Sequence, residues 1–174
     1  FPKIFGFLEN LVIDLGGPSG SLGIDSAQFS FPTTILNDSC VVGVPICYES
    51  IYGELFGEFV RKGASLMAII TNDAWWGDTP GHRQHFSYAK LRAIETRRTI
   101  LRAANTGFSG IINEKGEVLY KTKYNERTAI AAQVYPNYSL TFYVKYGDYL
   151  AYGGVIIFFI SIFWLFFQLF SQKK

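Results

Sequence analysis

The chain has 174 residues, 49% of them hydrophobic, with a formal net charge of +2. That length supports one domain with a real core, and the small charge, with no basic run beyond Lys173 and Lys174, argues against a nucleic-acid partner. Aromatic residues make up 17%, including 16 Phe and 11 Tyr, which suits either a membrane-facing, lipid-handling protein or a large aromatic core.

Phe1 is not a Met, and neither a basic segment nor an apolar run follows it. No signal peptide is expected, and the sequence reads as a piece of a longer protein. Residues 5–15 have the pattern of a short helix. The Gly/Ser stretch 16–23 then breaks regular structure. It reads as a connector; lacking a Lys and a following helix, it is not a phosphate cradle.

Residues 33–36 and 39–46 read as two strands about an Asn37-Asp38 turn. The second is apolar almost throughout, as in a strand covered on both faces. Pro45 has no donor and sits where the ladder ends. Cys47 follows directly. A thiol on a sharp turn after a buried strand is either a buried structural cysteine or a nucleophile beside backbone N–H groups. Cys40 and Cys47 are seven apart, about 23 Å if extended, so they read as two free thiols and not a disulfide. His82 and His85 lack the neighbouring ligands of a zinc site, and no cofactor is expected.

Residues 49–62 read as a helix with Ile51, Leu55, Phe56, Phe59 and Val60 on one side and Gly63 as its cap. Leu66–Thr71 is a second buried strand, completing a βαβ-like unit. Asn72, Asp73, Trp75 and Trp76 come next, in a stretch that reads either as a binding loop or as a polar turn beside a hydrophobic anchor. Residues 82–101 form the longest predicted helix, with Phe86, Ala89, Ala93, Ile94, Arg97 and Leu101 as its stripe. Arg92, Arg98 and Arg102 are assigned to a solvated or salt-bridged face. Residues 108–112 and 117–122 form a hairpin, and 127–134 another strand.

Residues 149–170 carry no charge. At about 1.5 Å per residue such a helix crosses the roughly 30 Å hydrocarbon core. Tyr149 and Tyr152 suit one interface and Lys173 and Lys174 the other, which puts the lysines in the cytoplasm and residues 1–147 outside.

The blocks Ile46-Cys47-Tyr48-Glu49, Thr71-Asn72-Asp73-Ala74-Trp75-Trp76-Gly77, Gln84-His85 and Ala104-Asn105-Thr106-Gly107, closed by a membrane helix, carry a resemblance. The chain resembles the apolipoprotein N-acyltransferases, the membrane branch of the nitrilase (carbon–nitrogen hydrolase) superfamily. The resemblance implies an α/β fold: the C-terminal half of a nitrilase-like αββα sandwich over residues 1–147, one transmembrane helix over 149–170, and a short basic cytoplasmic tail over 171–174. It implies transfer of an acyl chain from a phospholipid, commonly phosphatidylethanolamine, to the N-terminal amine of a diacylglyceryl-cysteine lipoprotein. The reaction is ping-pong through a thioester, in an inner-membrane protein whose catalytic domain faces the periplasm.

Within a Glu-Lys-Cys triad, Cys47 matches the nucleophile. The Glu and Lys fall before this region, and Lys3 lacks the expected flanking sequence. The resemblance further implies that Glu49 supports the lysine and the Tyr48 backbone N–H the oxyanion, with Trp75 and Trp76 shaping an acyl pocket or meeting the membrane surface. Asn72, Asp73 and His85 are expected to bind substrate or to be structural. The alternatives are a membrane-anchored amidase or carbamoylase of the same superfamily, and a non-catalytic membrane-anchored binding module. The chain by itself is expected to be inactive.

Overall fold

A computed structural model describes residues 30–35 and 38–171. The predicted helix at 5–15, the 16–23 connector, Lys3, Asn37, Lys173 and Lys174 lie outside these. Six strands form one sheet in chain order: β1 (Ser30–Ile35), β2 (Asp38–Gly43), β3 (Leu66–Thr71), β4 (Ile100–Ala104), β5 (Gly110–Ile112) and β6 (Val118–Lys121). β2, β3 and β4 are parallel, and β1, β5 and β6 add antiparallel edges. The parallel pairs are joined through α1 (Gly53–Arg61) and α2 (Pro80–Thr96), as parallel strands require. Two further helices, α3 (Phe142–Tyr146) and α4 (Tyr149–Ser171), follow the sheet.

The core lies between one sheet face and the helices. Phe56, Phe59 and Val60 of α1 and Phe86, Ala89 and Ala93 of α2 meet Met67, Ile69, Ile100 and Ile112 of the strands, with Val144 of α3. Each large side chain so buried contributes about 1.5–3 kcal/mol. Strand alternation sends Ala68, Ile70, Leu101 and Ala103 to the other face. That face is apolar and open, with Ile70 54% exposed. A groove of about 500 Å³ lies over it, bounded by residues 128–132.

Four expectations of secondary structure are corrected. β2 ends at Gly43, and Ile46 keeps only an isolated parallel bridge to Ile70. The single helix over 49–62 is two elements. Cys47–Ile51 is a 3₁₀ turn, Tyr52 is extended (φ −87°, ψ 106°), and α1 begins at Gly53. The Ser50 hydroxyl bonds the Cys47 carbonyl at 2.7 Å, a local bond that competes with a continuous α-helix.

The helix over 82–101 instead starts at Pro80, capped by Thr79, and stops at Thr96. Arg97 is left-handed (φ 52°), and the chain enters β4. Leu101 fits a helical stripe, but pairing of Ile100–Ala104 with β3 decides the conformation. Residues 127–134 form no ladder among the described residues and instead run beside the open face.

Of the solvated or salt-bridged face expected for the arginines, the solvated alternative falls and the salt-bridged one holds for Arg92 and Arg102. Arg92, Arg98 and Arg102 are buried. Arg92 pairs with Glu95 at 2.9 Å. Arg98 donates to the carbonyls of Ala64 (2.7 Å), Thr96 (3.1 Å), Arg97 (3.2 Å) and Ser139 (2.8 Å). Burial pushes its guanidinium down to about 10, so it stays charged at neutral pH and ties three segments together.

α4 is the one helix among the described residues long and apolar enough to cross a membrane, over Tyr149–Gln168, and none of that stretch is buried. Arg98→Met strands the four carbonyls that the guanidinium serves, so urea unfolding of the protein is expected to show a loss of about 3 kcal/mol or more. A loss under about 1 kcal/mol would show that water replaces it.

Candidate active site

The site grows from the carboxyl ends of β2, β3 and β4. After Gly43 the chain runs through Pro45, whose carbonyl accepts from Ile70 N at 3.4 Å, into the 3₁₀ turn. Cys47 is the first residue of that turn and is half-buried, with φ +51°. A left-handed backbone at a non-glycine residue costs about 1–3 kcal/mol and persists only where its surroundings fix it.

Two groups fix the turn locally. Glu49 Oε2 accepts from Ile46 N at 2.7 Å, and Glu49 N donates to Ile46 O at 3.1 Å. Ser50, fully buried, holds the Cys47 carbonyl.

Behind the turn lies a buried polar cluster. His85 of α2 places Nε2 3.2 Å from the Cys47 carbonyl and 3.1 Å from Ser50 Oγ. Its other nitrogen, Nδ1, meets Asp73 Oδ1 at 2.9 Å. Asp73 also accepts from Thr71 Oγ1 at 3.0 Å and from Arg102 Nη2 at 2.6 Å. Arg102 Nε donates to the Phe108 carbonyl at 3.2 Å, while Nη1 is buried with no hydrogen-bond partner among the described residues.

Burial raises the Asp73 carboxyl, but His85 and Arg102 outweigh it and hold the group below the ordinary carboxylate range. Burial pushes the Arg102 guanidinium down, opposed by Asp73. Asp73 is therefore ionised at neutral pH. Its contribution to stability is complete above the unfolded carboxylate value and is lost as pH falls through the lower folded one.

The loop after β4 completes the cluster. Asp73 N donates to the Thr106 carbonyl at 3.0 Å. Gly107 has φ +110°, and a Cβ there would sit 2.6 Å from Asp73 Oδ2. Only glycine both adopts that conformation and admits the carboxylate.

The remaining candidates surround this centre. Tyr48 is the second residue of the turn, half-exposed, with its ring 6.1 Å from Trp76 and 5.9 Å from His85. Trp76 packs edge-on to His85 at 5.2 Å, whereas Trp75 is 64% exposed and stands apart. Asn72 caps the turn Asp73–Trp76 by accepting from Ala74 N at 3.2 Å. A cavity of about 70 Å³ opens between Tyr48, Trp76, Gln84 and Tyr88.

His82 points elsewhere, to the Gly77 carbonyl at 3.1 Å. Sequence reasoning passed over Ser50, Thr71 and Arg102. Ser50 had a signal, since it lies three residues past Cys47 at 3₁₀ spacing. Arg102 was hidden by the helix expected there.

The sequence profile described as carbon-nitrogen hydrolase matches residues 13–140. Among curated relatives, the apolipoprotein N-acyltransferase of Thermotoga maritima is 34% identical over 163 residues, 94% of this chain and 31% of that protein. The apolipoprotein N-acyltransferase of Chlorobaculum tepidum is 31% identical over 154 residues, 85% of this chain and 28% of that protein. The chain thus spans less than a third of the length of these relatives. Among solved structures, an amidase from Nesterenkonia sp. has a TM-score of 0.47 at 18% identity, covering 58% of this chain and 40% of that one. The profile match runs through every strand of the sheet and every residue of the site just described, and by it the chain belongs to the carbon–nitrogen hydrolase family.

Proposed function

We propose that Cys47 is the acyl-accepting nucleophile of an N-acyltransferase that moves an acyl chain from a phospholipid to the N-terminal amine of a diacylglyceryl-cysteine lipoprotein. The observation that supports this most is the left-handed Cys47 at the head of a turn, a strained placement of the kind found at functional sites. The curated relatives named apolipoprotein N-acyltransferase support acyl transfer to an apolipoprotein.

The chemistry follows in two halves. The Cys47 thiolate attacks the ester carbonyl of the donor, phosphatidylethanolamine in this reading, and the carbonyl electrons move to oxygen. The oxyanion is met by backbone N–H groups of the turn, the Tyr48 N–H first among them. Its collapse breaks the ester C–O bond and releases lysophospholipid, whose alkoxide takes a proton. The acceptor amine then attacks the thioester, loses a proton, and returns Cys47 as thiolate with an amide formed.

The base and ammonium that generate the thiolate are a Glu and a Lys outside this chain. Glu49, the exposed third residue of the turn, supports that lysine. Trp75 and Trp76 border the acyl chain or the lipid surface. We further propose that Tyr149–Gln168 spans the inner membrane, with the tail cytoplasmic and the catalytic domain periplasmic. The helix's length and the lack of any buried residue along that stretch support this.

In the full-length protein, incubation with phospholipid and no acceptor is expected to add one acyl mass to Cys47, and Cys47→Ala to abolish both this adduct and transfer by at least about 10³-fold. Ammonia release from small amides with no acyl transfer would instead support the anchored amidase, and full activity in Cys47→Ala would reject Cys47 as nucleophile. For topology, a fluorescent protein fused after Lys174 is expected to fold and fluoresce, while a periplasm-dependent phosphatase at the same point stays inactive. The reverse pattern would overturn the orientation.

A further inference from the structure

We infer that Asp73, His85 and Ser50 form a buried relay that positions Cys47 through its backbone carbonyl, and that these three are positioning residues for the reaction. The inference rests on reading Cys47 as the nucleophile, because a relay built around an inert thiol would have nothing to position.

The argument starts from the cost of the Cys47 backbone. A cysteine at φ +51° relaxes toward negative φ unless its peptide groups are held. The carbonyl of Cys47 is where it is held. It accepts from Ser50 Oγ at 2.7 Å, and His85 Nε2 lies 3.2 Å away. Neither side chain is free to drift. Ser50 is 0% exposed and contacts His85 Nε2 at 3.1 Å; His85 is 2% exposed and is turned by Asp73 at 2.9 Å.

Asp73 in turn is clamped by Arg102, Thr71 and the Thr106 carbonyl, with Gly107 closed against it. An anchored carboxylate, an imidazole and a hydroxyl in this order have the connectivity of a nucleophile-activating triad. Here, however, the hydroxyl is sealed from substrate and spends its proton on the Cys47 carbonyl. The relay sets geometry and takes no part in bond making.

The consequence is a division of labour. Groups outside this chain make the thiolate, while the relay aims it and the N–H groups that follow. Misplacing a reacting group by about 1 Å costs about 100-fold, so the relay is expected to act on turnover and not on donor binding.

The test uses the full-length protein. His85→Ala and Asp73→Asn are expected to lower the kcat for transfer about 10- to 100-fold with the phospholipid KM unchanged within about twofold. His85→Gln keeps a polar amide within reach of Ser50 and the Cys47 carbonyl, and is expected to restore most of the loss. A second readout is the carbonyl ¹³C resonance of Cys47 in cysteine-labelled protein, identified by its disappearance in Cys47→Ala. It is expected to move upfield when the hydrogen bonds are lost in His85→Ala and to return in His85→Gln.

Ser50→Ala removes one hydroxyl and is expected to shift the same resonance and to lower kcat about 10-fold, so the inference can be checked even if His85→Ala does not fold. Wild-type kcat and an unmoved resonance in folded His85→Ala or Ser50→Ala would overturn it. So would equal losses in His85→Gln and His85→Ala. If the lipid-transfer reading fails, the resonance still responds while no transfer is seen. If the relay fails, transfer proceeds with the resonance unmoved.

Discussion

The left-handed backbone of Cys47 is the constraint on which the rest of the site depends. Its cost of about 1–3 kcal/mol is offset within a short radius. Ile46 N–H goes to Glu49, the Cys47 carbonyl to Ser50, and the buried His85–Asp73–Arg102 cluster closes behind them. A buried carboxylate, imidazole and guanidinium are each costly to desolvate. They are tolerated here because most of their polar atoms face a partner. A core of the same volume built from Leu and Met would pack as well, but it would leave Ser50 and the Cys47 carbonyl without the imidazole nitrogen they face and the turn freer to relax.

The cluster exists because three parallel strands end at one edge. The segment after β2 delivers Cys47, the end of β3 delivers Thr71 and Asp73, and the loop after β4 delivers Thr106 and Gly107. The carboxyl edge of a parallel sheet is where α/β proteins place ligands, since successive crossovers return there. The loops are bonded to one another: Asn105 N to the Thr71 carbonyl and Asp73 N to the Thr106 carbonyl, both at 3.0 Å. The Ala104-Asn105-Thr106-Gly107 block thereby gains a physical role. It forms the wall against which Asp73 is pressed, and Gly107 is the one residue in it that a side chain would displace.

Much of this was legible in the chain. The buried strand Leu66–Thr71 and the hairpin about Gly116 each carried a pattern that tertiary structure left intact, whereas the apolar run before Cys47 stays in the ladder only to Gly43. β4 was not legible. Ile100-Leu101-Arg102-Ala103-Ala104 continues a helical stripe and contains a charge, so neither period nor composition announced a strand. Its conformation comes from β3 alongside and from Arg98, whose guanidinium draws the chain out of α2 toward four carbonyls. Arg102 was misread for the same reason. In a helix it faces solvent, whereas in a strand alternating with Leu101 it faces the core and reaches Asp73. His85 and Asp73 were expected to bind substrate or to be structural, but their meeting behind Cys47 depends on how α2 lies across the sheet, and no local pattern encodes that.

Two apolar surfaces stand open among the described residues. Among the described residues the sheet face bearing Ala68, Ile70, Leu101 and Ala103 has no helix on it, and α4 buries none of its membrane-length stretch. A sheet with only one face covered is half of a layered architecture, which agrees with an αββα sandwich whose second sheet packs on this face. The second surface is tied to the first domain with little slack. Arg61 Nη1 donates to the Val144 carbonyl of α3 at 3.0 Å, Thr141 Oγ1 bonds the Glu95 carbonyl, and Gly147, at φ +67°, turns the chain into α4 beside the Glu54 carboxylate. α3 is therefore a rigid bracket rather than a linker. Under the proposed function, a helix fixed in the bilayer would fix through that bracket the height and tilt of the edge that holds Cys47. A nucleophile that must meet an ester buried near the lipid headgroups gains from such a fixed approach, because orientation then costs nothing at the moment of encounter.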